Sequence, residues 1–207
     1  MLETFRGTRI FWQQLEIAKK LVAVGDARIL PQLEPYLSHD DRHLRGNAAF
    51  IFAGLGSDRG FDVITAILSD RSRRGGGQGI PNGRWSLQGQ IAADRYYAVH
   101  LLGELKDPKA VPVLVSLLVD EQVDYKVPWA LGQIGGKRAV QGLLRALESD
   151  NSDVRVIAVE ALGDLNAKEA LPSLRRLLDD NERRHFGKLL TVSEAARAAI
   201  GKLDALR

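Results

Sequence analysis

The residues of this chain that have the types to do chemistry are few. There are four histidines, a short run of arginines and glycines, and some closely spaced carboxylates. Cysteine is absent, which excludes a thiol nucleophile, a thiolate metal site and a disulfide. His39 and His43 stand four apart, the spacing that puts two ligands on one helical face. Asp40 and Asp41 lie between them, near a turn, and a metal pair there lacks further ligands. Glu160 and Asp164 share the same spacing, and a solvated helix face accounts for them. The glycines from Gly75 to Gly79 follow no strand, so neither a P-loop nor a dinucleotide fingerprint is present. The sequence therefore predicts no catalytic set, no metal and no cofactor, and binding is the class of function it favours.

One segment has the residue types of a binding arm. Between Asp70 and Ile91 stand Arg71, Arg73 and Arg74, a glycine cluster, Pro81-Asn82-Gly83, then Arg84 and Trp85. Gly and Pro at this density predict a loop over 71–90. A structureless insertion of this length is uncommon inside a compact array and is often functional. Arginine and tryptophan dominate binding hot spots. Arg71, Arg73, Arg74 and Arg84 are thus candidates for acidic groups, with Trp85 as an apolar anchor. A tolerated surface insertion is the competing account.

The elements that must position these residues repeat. From Asp153 to Asp180 the chain reads DVRVIAVEALGDLNAKEALPSLRRLLDD. Ala98, Leu102-Gly103, Leu105, Ala110, Val111-Pro112, Leu114, Leu117-Leu118 and Asp120 fall on the same skeleton. So do Ala130-Leu131-Gly132, Ile134, Ala139, Leu143 and Leu147. An earlier copy holds Leu44-Arg45, Ala48, Leu55, Ile64, Ile67-Leu68 and Asp70, and a weaker one Ile29-Leu30-Pro31, Leu33 and Leu37. The period is about 30 residues. Within each unit the apolar residues recur at three and four, which predicts two helices. N-cap formers separate them, as at Asp107-Pro108 and Ser149 to Asp153. One helix pair cannot bury its apolar side alone, so neighbours must stack. Small residues such as Ala158, Ala161 and Gly163 let them approach.

This skeleton resembles the short HEAT-like repeats associated with phycobilisome lyases. The resemblance implies an all-α fold, an α-solenoid (right-handed superhelix) of about five bihelical HEAT-like repeats plus a C-terminal helix. It spans 1–207 as a single repeat domain with the Arg/Gly-rich insertion at 71–90. It also implies protein–protein binding along the concave face lined by the second helices. HEAT-like bilin lyases, which attach a chromophore, and HEAT-like DNA glycosylases are the enzymatic analogues.

On the second helices, Val63, Val113, Val115 and Leu144 are expected to form an apolar ridge, with Arg145, Arg175 and Arg176 as its basic end. Such a ridge is either a partner surface or packed between repeats. Tyr96 and His100 are expected at the surface beside the loop, Tyr97 and Trp129 in the core, and Pro128 as a kink in its helix. The net charge of +3 and pI near 9.3 are mildly basic, with acids interspersed. A protein partner is therefore favoured over nucleic acid, which needs a concentrated basic stripe. No apolar run reaches about 18 residues, so no membrane span is expected. The start, Met1 to Arg6, lacks a signal-peptide core, and a cytoplasmic protein is expected. The sequence thus favours a non-catalytic, protein-binding scaffold or adaptor. A nucleic-acid-binding protein and a bilin-lyase-type subunit are its alternatives.

Overall fold

The computed structural model describes residues 1–72, 86–184 and 190–205. Their regular elements are helices, and the chain divides into two compact units, Met1–Leu105 and Lys106–Arg207. The division falls just after a helix, between the two halves of the third repeat.

The first unit holds α1 (Leu2–Gly7), α2 (Phe11–Val24), α3 (Leu30–Leu33), α4 (Arg42–Gly54), α5 (Asp58–Ser69) and α6 (Leu87–Leu105). Helix α4 packs on α2, α5 and α6. The skeleton residues of α4 and α5 are buried: Ala48 and Ile64 are fully enclosed, with Leu44, Ile67 and Leu68 nearly so. Helix α6 opens at Leu87, within the expected loop over 71–90, of which residues 73–85 lie outside the described residues.

The α4–α5 contact is close enough to exclude a side chain. A Cβ on Gly60 would lie 2.2 Å from the Ala49 carbonyl oxygen and 2.3 Å from the Ala53 nitrogen. The N-terminal turn of α5 therefore rests directly on the backbone of α4.

The second unit holds α7 (Val111–Ser116), α8 (Val127–Ile134), α9 (Gly136–Ala146), α10 (Ser152–Asp164), α11 (Leu171–Arg176) and α12 (Val192–Asp204). The first helices of successive repeats, α8, α10 and α12, pack in order. Each of these packings is made through the glycine of the repeat. A Cβ on Gly132 would lie 2.9 Å from Ala161 Cβ, and one on Gly163 would lie 3.3 Å from Ala199 Cβ. The caps act as the sequence predicts. The Asp107 side chain accepts from Lys109 N, and Asn151 caps α10 by accepting from Asp153 N. Thr191 and Glu194 form a reciprocal capping box on α12.

Pro128 departs from expectation. It occupies the first turn of α8, where a missing N–H costs nothing, so it begins a short helix and does not kink a long one. Among the described residues no helix is long and apolar enough to cross a membrane.

Gly60→Ala is expected to lower stability by about 1–3 kcal/mol, because backbone atoms cannot move aside as a flexible side chain can. Gly7→Ala, with nothing within 4 Å of the new methyl, is expected to change it little. Urea denaturation of the two variants against the parent chain measures both.

Candidate functional site

Polar and aromatic side chains concentrate in the first unit, at the N-terminal ends of α2 and α4 and along one face of α6. The Asp41 side chain caps α4 by accepting from His43 N at 2.9 Å. That cap sets Arg42 and His43 in the first turn. The Arg42 side chain is only 4% exposed. Its Nε donates to Asp70 Oδ2 at 2.9 Å and its Nη1 to Asp94 Oδ2 at 3.2 Å. Its Nη2 donates to the Ser72 carbonyl at 2.8 Å and to Ser72 Oγ at 2.7 Å. One guanidinium thus ties α4 to the chain leaving α5 and to α6. Burying an arginine is favourable only when its donors are met, and here all three nitrogens find acceptors. Arg45 adds a second cation on Asp70, at 3.2 Å. The hydrogen bond from Arg42 holds the Asp70 carboxyl well below the usual carboxylate range, with Ser72 contributing in the same sense.

From Asp94 the cluster continues as a row. His43 Nε2 lies 3.6 Å from Asp94 Oδ1. The His43 ring meets Tyr97 edge to face at 4.5 Å, and Tyr97 lies 4.1 Å from Phe11. Trp12 stands nearly perpendicular to Tyr97 at 5.4 Å and to His100 at 4.7 Å. His100 Nε2 is 3.5 Å from Glu104, whose other oxygen pairs with Lys19 at 2.8 Å. Asp94, Tyr97, His100 and Glu104 are spaced by three, three and four, so they share one face of α6.

Buried amides position the α2 end of this row. Asn47 Nδ2 donates to the Phe11 carbonyl at 3.2 Å and to Gln14 Oε1 at 2.9 Å. Gln14 Nε2 in turn donates to the carbonyls of Phe5 and Thr8. The segment entering α2 is therefore pinned from α4, and Trp12 is carried in a fixed place. Trp12 is 41% exposed and Ile10 56%.

The sequence-predicted residues are not gathered into one site. Arg71 is exposed, its Nη1 donating to the Leu68 carbonyl at 2.8 Å. Arg73, Arg74, Arg84 and Trp85 lie outside the described residues. Tyr96 is half-buried against Tyr97 at 5.7 Å. His100, expected at the surface, is buried, because its face of α6 turns onto Trp12 and Glu104. Tyr97 and Trp129, expected in the core, are half-buried. Val63 belongs to the first unit, and Val113, Val115, Leu144, Arg145, Arg175 and Arg176 to the second. The valines and Leu144 are half-buried and form no exposed apolar run. Val115 packs where a Cβ on Gly142 would stand, at 2.8 Å, which is the packing alternative at that position. Arg145, Arg175 and Arg176 are exposed, as are the acids Glu148, Glu169 and Asp179.

Sequence reasoning missed Arg42, Asp94, Phe11 and Trp12. A signal for Asp94 existed. It stands at the skeleton position held by Leu44, Val123 and Val154 in other repeats, all of them buried. A carboxylate at an apolar repeat position marks a place where packing is not the purpose.

Bihelical units of about 30 residues, stacked through glycine on alanine, define a helical-repeat protein. The model for HEAT repeats matches residues 87–155, 120–190 and 140–203. The chain belongs to the HEAT-repeat family, in the short-repeat form typified by the phycobilisome lyases. It is 33% identical over 145 residues to the bilin biosynthesis protein PecE of Nostoc sp., covering 69% of this chain and 53% of that protein. It is 32% identical over 140 residues to the phycocyanobilin lyase subunit alpha of the same organism, covering 58% of this chain and 51% of that one. The chain thus spans about half the length of these relatives. Among solved structures, the complex of CpcE and CpcF of phycocyanin lyase from Nostoc sp. is similar in fold. The TM-score is 0.54 at 23% identity, over 85% of this chain and 65% of that one. The similarity to PecE and to lyase subunits overturns the expectation of a non-catalytic scaffold and favours its bilin-lyase alternative.

Two outcomes follow for the ion cluster. Arg42→Met removes the cation shared by Asp70 and Asp94, leaving Arg45 on Asp70 and His43 beside Asp94, and is expected to cost about 3 kcal/mol in urea denaturation. The folded-state pKa of Asp70 lies below its ordinary 3.8, so its contribution is complete above that value and is lost as pH falls below it. Asp70→Asn is therefore expected to be less stable than the parent at neutral pH, with the gap narrowing on acidification below about pH 4. Parallel melts across pH check the sign.

Proposed function

We propose that this chain is a bilin-lyase-type subunit, binding a linear tetrapyrrole chromophore and working with a second protein. The observation that carries the reading is the similarity to PecE and to phycocyanobilin lyase subunit alpha. The CpcE–CpcF complex, similar in fold, is itself an assembly of two proteins, which supports a protein partner.

The chemistry of the chain is consistent with that role. With no cysteine, it offers no thiol to hold a chromophore covalently, so a thiol-linked product would be built on another protein. Its own contribution is then to bind, orient and hand over. A tetrapyrrole is a long conjugated ligand bearing two carboxylates. An aromatic surface and an unpaired cation are the groups that recognise it. The chain has fixed aromatic groups at Phe11, Trp12 and Tyr97.

Titrating phycocyanobilin into the purified chain tests the reading. Saturable change in the pigment's visible band, with induced circular dichroism, is the expected result. A pigment spectrum unmoved at tens of micromolar chain contradicts it.

A further inference from the structure

We propose that the exposed Trp12 face of the first unit is where the bilin is held, its ring plane against the indole and a propionate on Arg9. This assignment rests on the bilin-lyase reading above and gives it a location.

Trp12 is the one large aromatic among the described residues that is both prominently exposed and held by several rings. Phe11 lies 4.8 Å from it, Tyr97 5.4 Å and His100 4.7 Å, all close to perpendicular. A side chain so constrained loses little rotamer freedom when a ligand stacks on it, and that is the condition for a strong anchor. Ile10, two residues before it in the chain, is 56% exposed and adds a second apolar side chain at the surface.

Charge at this face favours a carboxylate-bearing planar ligand. Arg9 is exposed, its Nη1 bonded to the Arg6 carbonyl at 3.0 Å, and no described carboxylate pairs with it. Ile10 gives α2 no side-chain cap, so the positive helix-end potential of α2 lies next in sequence to Arg9, three residues before Trp12. Lys19 does not compete for the ligand, being paired with Glu16 and Glu104.

Two clefts of the second unit suit a bilin less well. The Trp129 ring is covered by Lys126 Nζ at 3.4 Å, and its cleft of about 120 Å³ is edged by Glu160 and Asp164. A larger cleft of about 570 Å³ is lined by Glu121, Asp124, Glu148 and Asp150, which repel propionates.

The test compares dissociation constants for phycocyanobilin, read from induced visible circular dichroism. Trp12→Leu is expected to weaken binding at least about tenfold, and Arg9→Gln several-fold, while Trp129→Phe binds as the parent does. Far-UV dichroism and the melting temperature verify folding. Ile10→Asp, at a still more exposed position, is expected to weaken binding too and serves if Trp12→Leu is unstable. Parent-like binding by Trp12→Leu and Ile10→Asp overturns the site and leaves the bilin-lyase reading standing. Absence of binding by the parent chain overturns both.

Discussion

The buried guanidinium of Arg42 organises the polar cluster of the first unit. Arg42 enters from the first turn of α4 and meets Asp70 beyond α5, Ser72 after it, and Asp94 in α6. Ionised groups this deep are costly unless every donor is satisfied, so the partners must be held where Arg42 needs them. That requirement fixes the rotation of α6. Once Asp94 faces Arg42, helical spacing brings Tyr97, His100 and Glu104 onto the same side, toward α2 and α4. The aromatic row is therefore a consequence of the ion cluster, and Trp12 stands at its exposed end.

The same skeleton serves two purposes. Arg155 pairs with Asp180 at 2.8 Å, as Arg45 pairs with Asp70, and these pairs occupy equivalent repeat positions. There the arginine closes a repeat, tying its first helix to the chain leaving its second. Arg42 has no such counterpart, since the equivalent residue in the later repeat is the buried Ser152, bonded to the Arg183 carbonyl. Arg42, where the later repeat has Ser152, and Asp94, where other repeats have the apolar Leu44, Val123 and Val154, set this part of the first unit apart from the repeat skeleton.

Legibility in the sequence follows from this division. Ala158, Leu162, Ala170 and Leu174 recur at fixed spacing and are fully buried, so periodicity alone located the core. Gly132 and Gly163 recur for an equally local reason, the need to admit an alanine of the next helix. The site was less visible because its parts come from three helices and share no spacing. Phe11 and Trp12 precede the recognisable repeats, and an exposed tryptophan at a helix start has no pattern of its own. The position of His100 was misjudged for a related reason: its neighbour Trp12 is distant in sequence. The apolar ridge failed because a half-buried valine between repeats has the same spacing as an exposed one, and only packing on Gly142 separates them at Val115.

On the proposed reading, the bilin stacks on the exposed indole of Trp12, which neighbouring rings hold in place. The indole N–H resonances of the isotopically labelled chain, followed by NMR as phycocyanobilin is added, test it most directly. The expected result is that the Trp12 indole signal shifts saturably while that of Trp129 stays in place. Shifts confined to Trp129 and its neighbours, or none at all, would contradict it.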